Sequence, residues 1–203
     1  MKVKICGLTR PRQAEACVEA GAWAVGVILA PESPRYLDIA RAAEVLAEVP
    51  DHVARVGVFI DAGLADLERA ADRIGLTHVQ LHGAVDVAGA RRATGLPVIL
   101  GMPFTGPDAI GRAGASAADL VLFDAAVPGL HGGTGVRLDW AALAAHRPGY
   151  PFGLAGGLRP DNVAQAIRLL RPALVDVSSG VESAPGFKDH DKVDAFMTAV
   201  RSA

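Results

Sequence analysis

The chain has 203 residues, 51% hydrophobic and 21% charged, with a formal net charge of −2 and two cysteines. That is apolar material for one domain of ordinary size and excludes a disordered chain. So even a charge balance offers no basic face for nucleic acid, and two thiols are too few for a disulfide scaffold, which makes a reducing cytoplasm the expected setting. The longest apolar stretch, Ala20 to Ala30, has 11 residues and ends at Pro31, against the roughly 20 that a membrane helix needs. The opening MKVKICGLTR has no apolar signal core, so neither a leader nor a membrane partner is expected.

Taken in chain order, short β-rich runs alternate with helical stripes. A strand over 3–6 (VKIC) leads into a helix with Ala14, Cys17, Val18 and Gly21 on one face. Thr9 is its expected cap and Pro11 suits its first turn. Strands follow over 24–29 and 55–60, then a helix carrying Leu64, Leu67, Ala71 and Ile74 and stopped by Gly75, a residue that closes helices in the left-handed conformation. Further strands are predicted over 78–82, 97–101, 120–124, 151–156 and 174–178. Pro160 opens a helix with Val163, Ala166, Ile167 and Leu170 inward, and Val193, Phe196, Met197 and Val200 mark the last one. The stripes are core faces rather than binding sites.

Most of the strand runs are continuously apolar, as in parallel strands buried on both faces. Eight such strands with about eight helices, at about 25 residues per unit, predict a compact α/β domain over 1–203: a single (β/α)8 TIM barrel. The rival is an open doubly wound sheet. It carries a glycine-rich phosphate loop in its first βα turn, and here that turn reads CGLTRPR.

In a barrel of this kind, chemistry sits at the C-terminal ends of the strands. Those ends hold Cys6 with Gly7, the PESPRY loop with Arg35, Gln80 and His82, Asp124, Ala155-Gly156-Gly157, and Asp176 followed by Ser178-Ser179-Gly180. Polar groups thus collect on one rim of an apolar barrel. Gly156, Gly157, Ser178, Ser179 and Gly180 can present backbone N–H groups and hydroxyls to a phosphate at the loops after strands seven and eight. No H-x-H or comparable cluster lines this rim, so no metal is expected.

KICGLTR (4–10), SPRY (33–36), VQLHG (79–83), FD (123–124), GGTG (132–135), LAGGL (154–158) and VDVSSGVES-PG-KD (175–189) occur in order along the whole chain. Together they resemble the phosphoribosylanthranilate isomerase family of tryptophan biosynthesis. The chain departs from the family pattern at GVILAPE, where an aromatic residue is usual, and at Val136, where Lys is common. The resemblance implies an Amadori rearrangement of N-(5-phosphoribosyl)anthranilate to 1-(2-carboxyphenylamino)-1-deoxyribulose 5-phosphate, without cofactor. It implies Cys6 as general base, Asp124 as general acid and Arg35 as partner of the anthranilate carboxylate. His82 and Asp176 are candidate substrate contacts, and HGGTG (131–135) reads as a loop over the site. A base thiol must be tuned down and an acid carboxyl tuned up; Cys17, on a core stripe, reads as structural. The expected partner is a small phosphorylated substrate, and a monomer is expected.

Three alternatives stand beside this reading. The histidine-pathway aminoaldose isomerase performs the same chemistry but carries Asp in place of Cys6 and takes a substrate with two phosphates. A pentose-phosphate epimerase requires a metal site. A non-catalytic phosphosugar-binding barrel needs the phosphate loops and Arg35 but not both Cys6 and Asp124.

Overall fold

The computed structural model describes residues 1–125 and 138–203. Eight parallel strands close into a barrel: β1 Lys2–Cys6, β2 Ala24–Ile28, β3 Ala54–Ile60, β4 His78–His82, β5 Val98–Phe104, β6 Leu120–Ala125, β7 Phe152–Leu154 and β8 Leu174–Val177. Closure is direct, since Lys4 registers with Ala24 of β2 on one side and Asp176 of β8 on the other. The helices are α1 Pro11–Glu19, α2 Ile39–Leu46, α3 Leu64–Ile74, α4 Val87–Thr94, α5 Pro107–Gly114, α6 Trp140–Ala145, α7 Val163–Leu170 and α8 His190–Arg201. After β8 come a single 3₁₀ turn, Ser179–Val181, and a small antiparallel pair, β9 Glu182–Ala184 and β10 Phe187–Lys188.

Strand alternation divides the apolar side chains in two. Ala24, Ala54, Val56, Ile99, Leu122, Ala155 and Leu174 form one buried cluster in the barrel interior. Val3, Ile5, Val79, Leu81, Val121, Phe123 and Val175 belong to the larger cluster between strands and helices. The strands read as continuously apolar because both faces are buried. The predicted stripes of α7 and α8 lie inward. In α3, Leu67, Ala71 and Ile74 are buried and Gly75 caps the helix at φ 69°, but Leu64 in the first turn stays 41% exposed.

Three local expectations fail. Thr9 does not cap α1; its Oγ1 donates to the Gly186 carbonyl at 2.5 Å, and Arg10 stands at the cap without a side-chain hydrogen bond. Gly21 lies beyond α1, at φ 92°. The interval from Pro160 is also not yet helical: α7 begins at Val163, and Asn162 accepts from Arg159 N–H at 2.8 Å through its side chain.

Candidate active site

The C-terminal rim of the barrel is built by side chains that alternate inward from the strands. On β1 these are Lys4 and Cys6, 0% and 5% exposed. Gln80 and His82 on β4 are buried and joined, Nε2 to Nε2, at 2.9 Å. The His82 ring lies over Gly101 of β5, where any side chain would collide with it. Asp124 projects from β6, partly buried, and its Oδ1 accepts from Ala125 N–H at 2.7 Å. Asp176 of β8 accepts from Lys4 Nζ at 2.9 Å. Its other oxygen is buried with no hydrogen-bond partner among the described residues.

Burial is the largest influence on both catalytic candidates, with opposite consequences for their tasks. It pushes the Asp124 carboxyl up to about 6, helped by Asp176 and opposed by the Ala125 N–H and Lys4. An acid in that range holds a transferable proton near neutrality. Burial also pushes the Cys6 thiol above its ordinary value, with Lys4 and then Lys188 pulling the other way. Cys17, on the buried face of α1, is pushed up to about 12 by its burial.

Arg35 forms the bidentate carboxylate pair its guanidinium favours, but with the chain itself. Nε and Nη2 donate to the two oxygens of Glu182 at 2.8 and 2.6 Å, and both side chains are buried. Lys188 Nζ joins the same carboxylate at 2.7 Å and also reaches the Ser178 carbonyl at 3.2 Å. Burial pushes Glu182 up, but Arg35 and Lys188 outweigh it and hold the carboxyl below its ordinary value. The motif around VES-PG-KD is therefore a buried charge network that fastens the loop after β2 to the loop after β8.

The glycines of the two phosphate-loop candidates are there for backbone geometry. Gly156 and Gly157 adopt φ 82° and 64°, conformations that L side chains rarely enter. A methyl on Gly156 would meet Asp124 Oδ1 at 2.8 Å, and one on Gly180 would run into the Leu158 carbonyl oxygen. The loops after β7 and β8 thus touch, with Ser178 preceding the 3₁₀ turn and Ser179 opening it.

The structure places Cys6, His82, Asp124, Asp176 and both glycine-serine loops on one rim, with Arg35 reaching it across Gly7, where a methyl would lie 2.5 Å from Arg35 Cδ and 2.9 Å from Ser178 Oγ. The HGGTG loop lies outside the described residues. Sequence reading gave no role to Lys4, Glu182 or Lys188. For Lys4 a signal was available: it stands two residues before Cys6 in the VKIC run, whose other members are apolar, hence on the same, inward face.

Set against known proteins, residues 3–199 match the family described as N-(5'phosphoribosyl)anthranilate (PRA) isomerase. The chain belongs to the phosphoribosylanthranilate isomerase family. A protein of Paracoccus denitrificans named N-(5'-phosphoribosyl)anthranilate isomerase is 45% identical, over 97% of this chain and 95% of its own. The phosphoribosyl anthranilate isomerase of Thermotoga maritima superposes with a TM-score of 0.90 at 35% identity, complete in both chains, and is described elsewhere as dimeric. A further phosphoribosyl anthranilate isomerase structure, in complex with reduced 1-(o-carboxyphenylamino)-1-deoxyribulose 5-phosphate, matches with a TM-score of 0.88 at 34% identity, again over both whole chains.

Proposed function

We propose that this chain, an isomerase of tryptophan biosynthesis, rearranges N-(5-phosphoribosyl)anthranilate with Asp124 as general acid and Cys6 as general base. The observation that carries the assignment is the pairing on one rim of a carboxyl held near pH 6 with a buried thiol whose largest charged influence is the Lys4 cation. Asp124 gives its proton to the ribose ring oxygen. The C1′–O bond breaks as the anilinic nitrogen forms an iminium. The Cys6 thiolate then removes the C2′ proton, and the electron pair moves into C1′=C2′ while the nitrogen regains its lone pair. The resulting enolamine becomes the ketone when the C2′ hydroxyl proton is lost and C1′ is protonated. Acid and base stand on β6 and β1, which suits a sugar held between them.

Gly156, Gly157, Ser178, Ser179 and Gly180 serve the phosphate with backbone and hydroxyl donors. Asp176 and His82 contact the opened sugar and the aryl group. Arg35, oriented by Glu182, uses the remaining edge of its guanidinium for the anthranilate carboxylate. A cytoplasmic setting, which keeps thiols reduced, suits a reaction that depends on Cys6. Among the described residues no helix is long and apolar enough to cross a membrane. A monomer is our reading of the assembly, because among the described residues the exposed large hydrophobics, Met1, Tyr36, Leu64, Leu169 and Phe187, come from separate segments; sedimentation checks it.

The decisive assay follows loss of phosphoribosylanthranilate fluorescence with the purified protein. Cys6→Ala lowers turnover by roughly 10²–10⁴ while affinity for a reduced product analogue changes little, because the base and the phosphate loops are separate. Near-normal turnover in that variant defeats the assignment.

A further inference from the structure

Lys4 is among the largest fully buried side chains of the described residues, at 0% exposure. An ammonium so placed is costly. A buried ion pair repays its desolvation poorly, and an apolar side chain of similar size would fill the same space at less expense. Its ion pair with Asp176 at 2.9 Å meets one of the three N–H donors of the ammonium. The other observation is Gly26, the β2 residue in register with Cys6. A methyl there would lie 3.2 Å from Cys6 Sγ, 3.2 Å from Lys4 Cε and 3.4 Å from Lys4 Nζ. Sulfur and ammonium therefore border the same small space, and the missing side chain on β2 keeps it open.

We propose that Lys4 is a positioning residue for the reaction: pinned by Asp176 inside the barrel, its ammonium faces the Cys6 sulfur and stabilises the thiolate that takes the C2′ proton. This rests on the use of Cys6 as base. The charged groups around the sulfur are Lys4 from β1, Asp176 from β8, Lys188 from β10 and Arg35 from the loop after β2. Asp176 opposes the thiolate and Lys188 supports it, but Lys4 is the largest favourable influence. Lys4 itself stays charged: burial pulls its pKa down, yet Asp176 and Cys6 together carry it above its ordinary value.

A second function for this ammonium, as counter-ion to Asp176 alone, predicts a different outcome, and this decides the experiment. The probe is the pH dependence of iodoacetamide alkylation at Cys6 in the substrate-free protein, read by peptide mass spectrometry. Cys17, a thiol pushed up to about 12, is the internal reference. Three variants are compared. Lys4→Met removes the cation. Lys4→Met with Asp176→Asn removes the whole pair and leaves no unpaired buried charge. Gly26→Ala keeps both charges and wedges a methyl between sulfur and ammonium. In Lys4→Met and Gly26→Ala the Cys6 profile moves to higher pH by about one unit, so alkylation at a fixed lower pH slows roughly tenfold; in the double variant it moves the same way by less, because the opposing charge of Asp176 goes too. In Lys4→Met, kcat falls by a similar factor with KM little changed, because the phosphate loops are untouched.

A Cys6 profile that stays at its wild-type position in the variants that fold overturns the proposal, and Lys4 is then only the partner of Asp176. The alkylation needs no substrate. A shifted profile in a protein that fails to consume phosphoribosylanthranilate would count against the proposed function while upholding the Lys4–Cys6 interaction.

Discussion

Asp124→Asn separates what this carboxyl does for chemistry from what it costs the fold. Burial first, and Asp176 second, push it from its ordinary 3.8 up to about 6, against the Ala125 N–H and the Lys4 charge. The folded protein therefore binds this proton more tightly than the unfolded chain does. The stability tied to it is fully present below pH 4, declines as pH rises from about 4 to about 6, and is gone above that window. A gap of about two pH units at about 1.4 kcal/mol each puts the cost of the ionised carboxylate near 3 kcal/mol, and its partial exposure trims this to about 2. Asparagine never ionises, and its oxygen can still accept from Ala125 N–H, as Asp124 does at 2.7 Å. Urea unfolding at pH 7.5 is expected to show Asp124→Asn more stable than the parent by about 2 kcal/mol. For a chain of this length that corresponds to a Tm higher by roughly 4–8 °C. Turnover falls at least about 10²-fold in the same variant, an exchange of stability for activity of the kind active sites impose. The advantage shrinks through pH 6 and vanishes towards pH 4. A variant no more stable than the parent at pH 7.5, or one whose advantage persists undiminished to pH 4, would falsify the reasoning.

Two further outcomes follow from the same geometry. With the thiol above its ordinary value and the carboxyl at about 6, the working pair carries a single proton. Stopped-flow kcat/KM should then fall with unit slope as pH drops below about 6, and the basic limb should lie well above neutrality; an acidic limb near the ordinary carboxylate value of 3.8 would contradict this. Arg35→Ala should raise KM for the carboxylate-bearing substrate far more than for an aniline analogue lacking that group. Glu182→Gln, which weakens the clamp on Arg35 at 2.8 and 2.6 Å, should shift KM the same way by a smaller factor; equal losses for both substrates would show Arg35 to be holding a loop.

The barrel was readable because its signals are local: apolar runs of strand length, recurrent helix stripes, a glycine after Ile74. Boundaries were readable only where the apolar run itself ended the strand. β5 continues past Gly101 to Phe104 because Met102, Pro103 and Phe104 register with Phe123, Asp124 and Ala125 of β6, and nothing within residues 97–104 announces that partner. Thr9 misled for the same reason. It has the chemistry of a helix cap, but the carbonyl of Gly186, 177 residues away in sequence, takes its hydroxyl. Arg35 shows the limit most clearly. Its residue type pointed to a carboxylate, and a carboxylate is there, but the one in hand belongs to Glu182, 147 residues further on.

Two glycines of the rim, Gly7 and Gly26, have a common cause. Lys4, Arg35, Asp176, Glu182 and Lys188, every one of them less than 9% exposed, converge at one end of one barrel. Buried charges are tolerable only when each finds an opposite partner at hydrogen-bond distance. Here they do, as Lys4 with Asp176 and Arg35 and Lys188 with Glu182. Such packing leaves no room for side chains on the backbone that runs between them. Gly7 yields to Arg35 and Ser178, and Gly26 to Cys6 and Lys4. Glycine at these positions is a consequence of the charge network as much as of any ligand. That is why a substitution such as Gly26→Ala, compatible with its own backbone, is expected to register at the sulfur of Cys6.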